Sequence, residues 1–270
     1  MPNRNDLQWF KSTFHDRIEP ALAGTPFSVD LLTAIAAQET GHIWGPLHDT
    51  IDLDTLLEIC VGDTLDADRG RKAFPKTMDD LIAVSRGEDM FRIAHDALVA
   101  MSRHVPSFAA VAKRPNKFCH GYGIFQYDIQ FFKTDPEYFL DRKWRRFESS
   151  LAKCVEELRN AQSRASLSGE TTLTDVQQVH VAIAYNAGSF KPAKGLKQGF
   201  FDGRRFYGEM ILEFLRLAQT VSIPSAPATV RAPAPGVAPL APPTRVVSTG
   251  QVLEVDVKLA RPTVDAVRLH

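Results

Sequence analysis

Apolar residues recur at three- and four-residue intervals along most of the first 220 positions, the period of amphipathic helices rather than of strands. Leu7, Phe10, Phe14 and Ile18 predict a helix over 6–22. Ser28 is a candidate N-cap for a second helix, in which Leu31, Leu32, Ile35, Ala36 and Glu39 share one stripe. That phase puts Glu39 in the last turn, on the core-facing side, with Gly41 as the C-terminal stop. Leu56-Leu57-Ile59 and the run from Met90 to Met101 continue the helical pattern, separated by a polar, turn-rich stretch from Gly62 to Lys76. A helix around 136–162 carries Phe139, Trp144, Phe147, Leu151, Cys154, Val155 and Leu158. Two more run from Thr174 to Tyr185 and from Phe206 to Leu217. No convincing alternation marks a strand in this body, so it reads as mainly α.

The pattern breaks after Thr220. Seven prolines between Pro224 and Pro243, among Ala, Val and Ser, exclude a helix or packed core and predict an extended linker over 221–244. Beyond it, Val252 to Leu259 alternates as a strand would, inside a short extended segment 245–270. The body, 1–220, is the expected single domain.

Composition narrows the function. Of 270 residues, 32 are Lys or Arg and 32 Asp or Glu, so no global field recruits nucleic acid or an anionic polymer. The run Arg142-Lys143-Trp144-Arg145-Arg146 predicts a solvated helix face with Trp144 turned inward. Three cysteines, Cys60, Cys119 and Cys154, leave at least one thiol unpaired and suit a reducing compartment. The spacings of His42, His48, His120 and His180, with Cys119 beside His120, match no common zinc pattern. The expectation is therefore no metal and no cofactor. The N-terminal residues lack the apolar run of a signal peptide, and no stretch approaches the roughly 18 apolar residues that span a bilayer. No nucleic-acid partner and no stable membrane insertion are expected.

Three separated strings carry the candidate chemistry: Ala37-Gln38-Glu39-Thr40-Gly41, then Gly121-Tyr122-Gly123-Ile124-Phe125-Gln126-Tyr127-Asp128, then Ala184-Tyr185-Asn186-Ala187-Gly188. In this order they resemble the signature blocks of the lysozyme-like peptidoglycan-cleaving enzymes, the soluble lytic transglycosylases and goose-type lysozymes. Thr40 stands where that family has Ser, and Ile124-Phe125 where it has Leu-Met. The resemblance implies a lysozyme-like fold that cleaves the MurNAc-β-1,4-GlcNAc bond. It implies Glu39 as general acid, Gly123, Gln126 and Tyr127 along the sugar cleft, and Tyr185 and Asn186 on its far wall. Tyr185 would hydrogen-bond the acid. The separation of Glu39 from Gln126 far exceeds the family's, so 46–115 reads as an inserted helical subdomain. Peptidoglycan lies outside the cytoplasm, so the resemblance also implies export without a leader, or release by lysis, through a phage or secretion partner.

The residues add their own argument. A glycosidic bond needs a carboxylic acid with a raised pKa to protonate the leaving oxygen. Glu39 has apolar helical neighbours and no Lys or Arg between 31 and 45 to hold it ionised. Gly121 and Gly123 allow close backbone approach, and Tyr122 and Tyr127 offer faces for sugar rings. Asp128 reads two ways, as a second carboxylate that orients water or as an N-cap for the segment after it; Asp49 and Asp52 are further acids near Glu39. Two readings remain: a muramidase or lytic transglycosylase, or a catalytically silent glycan-binding or structural component of a phage or secretion assembly.

Overall fold

The first helix, α1 (Arg4–Ala21), begins with a reciprocal cap: Asn3 accepts from the Asn5 and Asp6 N–H groups, and the Asp6 carboxylate accepts from the Asn3 N–H. Its apolar stripe, Leu7, Phe10, Phe14 and Ile18, is wholly buried. The computed structural model describes residues 1–223; the strand expected after Val252, and all of the expected linker beyond Ile223, lie outside the described residues. The described residues cluster as one unit.

The chain is mainly helical. After α1 come α2 (Val29–Leu47), α3 (Leu53–Ile59), α4 (Met78–Ile82), α5 (Gly87–Ser102), α6 (Ala109–Ala112), α7 (Pro136–Leu140), α8 (Phe147–Arg164), α9 (Asp175–Ala187) and α10 (Tyr207–Gln219). α2 is the central element. It packs on α1 and, most extensively, on α10, which in turn lies against α9, while α8 closes over α9 and α1. Phe10, Phe14, Trp44, Phe125 and Phe147 meet where these helices converge, with the Phe14 and Phe147 rings stacked 3.9 Å apart. Lys11 is buried there, yet its ammonium is fully used. It donates to Asp30 at 2.7 Å and to the Ala218 and Val221 carbonyls at the end of α10.

Three expectations need correction. Ser28 does cap α2, accepting from the Leu31 N–H, but the helix does not stop at Gly41; it continues to Leu47 with Pro46 in its final turn. Gly41 is an interior position where Pro2 lies against the helix, so closely that a Cβ would collide with the proline ring. Glu39 therefore sits mid-helix rather than in the last turn. The expected helix over 136–162 is two, α7 and α8, separated by Arg142 in the left-handed region (φ 52°) and a turn of 3-10 helix. The body also contains a small antiparallel sheet of two-residue strands, β1 (Val61–Gly62), β2 (Gly121–Tyr122) and β3 (Tyr127–Asp128), in the order β1-β2-β3. Strands so short leave no alternation to read.

The segment 46–115 contributes β1 and a series of buried residues, Leu56, Ile59, Leu81, Met90, Leu98 and Met101, that join the same apolar core as α1, α2 and α8. Trp144 is turned inward, and Arg145 pairs with Glu58 of α3.

Candidate functional site

The three strings meet at the turn between β2 and β3. Thr40, one residue after Glu39 on α2, donates its hydroxyl to the Ile124 carbonyl at 2.7 Å. Tyr185, near the end of α9, donates to the neighbouring Phe125 carbonyl at 2.6 Å. Two side chains from distant helices thus hold consecutive carbonyls of one turn. The turn needs left-handed backbone at both ends, and Gly123 (φ 81°) and Gln126 (φ 57°) supply it. The Gln126 side chain folds back across the sheet, donating to the Gly123 carbonyl at 2.9 Å and the Cys60 carbonyl at 3.3 Å. It covers Gly121 and Gly62 so closely that a Cβ on Gly121 would overlap its carbonyl oxygen.

A cleft of about 460 Å³ opens beside this turn. Glu39, Gln126, Tyr127, Asp128, Tyr185 and Asn186 line it, so six of the seven candidate residues share one wall system. Gly123 does not. It faces α8, where a Cβ would strike Ser150 and also crowd the Tyr138 hydroxyl of α7, so its role is to let the turn seat against α8. Tyr122 offers no face to a sugar either, because its ring is buried between Phe139 and Trp144 and its hydroxyl is bound to the Cys119 carbonyl. Tyr127 is partly exposed, stacked on Phe131 at 4.8 Å, and Phe131 also lines the cleft.

Glu39 is partly buried in this wall. Burial pushes its carboxyl up to about 7, the Tyr207 hydroxyl pulls against that rise, and the negative charge of Asp63 adds to it. Tyr207, the first residue of α10, donates to Glu39 Oε1 at 2.8 Å. Burial and the adjoining Glu39 hold the Tyr207 phenol above its usual range, so it stays a donor. Here the sequence expectation is corrected: the tyrosine on the acid is Tyr207, while Tyr185 is committed to the Phe125 carbonyl. With Oε1 accepting from Tyr207, the carboxyl proton of Glu39 belongs on Oε2.

Asp128 has both its carboxylate oxygens engaged by Arg71, at 2.7 and 3.1 Å, and it also caps the following turn through the Gln130 N–H. The N-cap reading of this residue therefore holds. Arg71 in turn donates to the Phe74 and Pro75 carbonyls, fastening the 63–77 loop to β3. Glu157 of α8 also lines the cleft, engaged by Asn160 and Arg164, and so does Asp63, just after β1. Partial desolvation raises its pKa, against the Leu65 N–H and the charge of Arg71, whose Nη1 is 3.5 Å away. Asp49 and Asp52 do not line the cleft; Asp52 caps α3 and Asp49 bonds His48. Asn186 directs its carbonyl oxygen to the Phe200 N–H at 3.1 Å, which leaves its amide NH2 for a ligand.

Sequence reasoning missed Tyr207 and Asp63. Tyr207 looked like one more apolar residue at the start of an amphipathic helix, and Asp63 lay in a stretch that read as connecting turns. Compared with protein-family models, with curated proteins and with solved structures, the chain shows no match.

Proposed function

We propose that the chain is a lysozyme-like glycosidase that cleaves the MurNAc-β-1,4-GlcNAc bond of peptidoglycan, with Glu39 as general acid. The observation that carries this reading is a carboxyl raised to about 7 in the wall of an open cleft, held by a phenol on one oxygen only. Near neutral pH such a group is protonated about half the time, the condition a general acid needs. Its free oxygen protonates the glycosidic oxygen as the bond to the anomeric carbon breaks. The remaining Glu39 carboxylate is then stabilised by Tyr207. Tyr127 and Phe131 supply apolar faces for sugar rings, and the Asn186 amide supplies a polar contact.

Asp63 supports the water-using branch of this chemistry. Arg71 reaches only one of its oxygens, at 3.5 Å, so the carboxylate can orient water toward the anomeric carbon, the role first considered for Asp128. In the lytic branch the sugar's own hydroxyl attacks, and Asp63 is dispensable. Product analysis separates the two. Purified sacculi digested with the wild-type chain yield reducing-end MurNAc by hydrolysis or 1,6-anhydro-MurNAc by the lytic route. Glu39→Gln, which preserves shape and the acceptor for Tyr207, lowers release of either product at least a thousandfold. Release unchanged in that variant would sink the proposal, and sacculus binding without any product from the wild type would favour a silent glycan-binding protein.

A further inference from the structure

Between α9 and α10, residues 189–206 concentrate charge that the chain as a whole lacks. They hold Lys191, Lys194, Lys197, Arg204 and Arg205 against a single acid, Asp202, in a protein of formal net charge zero. Arg205 is paired with Glu213 of α10. Lys191, Lys194, Lys197 and Arg204 are exposed and have no acidic partner among the described residues. The same loop carries Phe200 and Phe201, exposed by 55% and 49%, the one adjacent pair of large exposed apolar residues among those described.

This loop is built rather than slack. Gln198 is buried inside it, donating to the Lys191 and Gly195 carbonyls at 2.9 and 2.6 Å while accepting from the Lys191 N–H at 2.8 Å. The two phenylalanines stand on a short hairpin closed by the Tyr207 N–H on the Phe200 carbonyl at 2.7 Å and by a bridge between Phe201 and Phe206. Asp202 ties its tip, accepting from the Arg204 and Arg205 N–H groups. A structure that spends so many internal bonds on holding two phenyl rings in water keeps apolar surface available for a partner.

We propose that this loop docks the protein peripherally on an anionic phospholipid surface. Phenyl rings settle at the headgroup boundary, and clustered cations near an anionic leaflet add to the attraction. Neither half suffices alone, and here both stand on one rigid loop. A soluble polyanion would satisfy the lysines but leave the phenylalanines without a use unless bases stacked on them, so it forms the competing outcome of the test. Docking through this loop would also hold the cleft beside the bilayer, because the Phe200 N–H bonds Asn186 and the hairpin runs directly into Tyr207, the partner of Glu39.

The test is co-sedimentation of the full chain with vesicles of phosphatidylcholine alone and with about one third phosphatidylglycerol, at low and high salt. The expected result is binding to the anionic vesicles alone, weakened by salt. Substituting Lys191→Gln, Lys194→Gln and Lys197→Gln together lowers the partition constant about a hundredfold, at about 1 kcal/mol per cation. Replacing Phe200→Ser with Phe201→Ser lowers it at least tenfold without changing the charge. Circular dichroism checks the fold of each variant, and the lysine variant decides the question even if the phenylalanine one is misfolded. Absence of sedimentation with the anionic vesicles overturns the proposal. So does wild-type vesicle binding in the phenylalanine variant, and so does preferential capture of single-stranded DNA or dextran sulfate over the vesicles.

Discussion

A carboxyl that titrates near 7 in the folded chain and near 4.5 when unfolded makes folding depend on pH with a definite sign. Between those values the folded state binds the extra proton, so stability falls as pH rises through this window, and the loss is complete above 7. The span corresponds to about 3 kcal/mol. Glu39→Gln removes the ionisation while keeping an oxygen for Tyr207. It should therefore be more stable than the wild type by up to about 3 kcal/mol in denaturant titrations at pH 8, with little difference near pH 4. An equal difference at both pH values would mean that Glu39 is not the group responsible. Such a stability cost is what the proposed acid role would carry. At this scale the sequence announced Glu39 well, because its apolar helical neighbours and the lack of nearby cations are local. Tyr207 was not legible. The bond that connects it to Glu39 spans 168 positions, and nothing near either residue foretells it.

Helix starts were more legible than helix ends. Ser28, read as an N-cap, and Thr174, read as a helix start, each cap the helix that follows through a side-chain oxygen, a signal confined to a few residues; Asp52, read as an acid near Glu39, caps α3 in the same way. Gly188 ends α9 in the left-handed conformation (φ 73°), again a local event. Gly41 looked equally like a stop, yet its lack of a Cβ serves tertiary contact with Pro2 rather than termination. The β2–β3 turn shows the same point from the other side. Gly123 combines a positive φ with a close approach to Ser150 and Tyr138, so alanine there meets backbone strain and a steric clash at once. Gly123→Ala should cost about 3 kcal/mol, seen as a fall of roughly 10 °C in melting temperature. A loss near zero would show that the turn can leave α8. Because the Ile124 and Phe125 carbonyls receive Thr40 and Tyr185, a displaced turn would also loosen α2 and α9 beside the cleft.

Over the whole molecule, the question raised by the long stretch between Glu39 and Gln126 is whether it opens separately from the rest. The three cysteines sample it. Cys60 immediately precedes β1 within that stretch, Cys119 precedes β2, and Cys154 lies on α8; all are free and buried in one continuous core. Burial pushes the Cys60 thiol up to about 12, and those of Cys119 and Cys154 higher still. A thiol reacts as its thiolate and only when reached, so each is doubly protected in the folded protein. At pH 8 an aromatic disulfide reagent should leave all three unreacted in native protein. All three should react together as denaturant carries the protein through its global transition, with a single midpoint that matches loss of helical dichroism. If the core is as continuous as its packing indicates, no cysteine runs ahead. Reaction of Cys60 at lower denaturant than Cys154 would instead mark 46–115 as a unit that opens by itself, taking Asp63 out of the cleft and Arg71 away from Asp128 while Glu39 and Tyr207 remain in place.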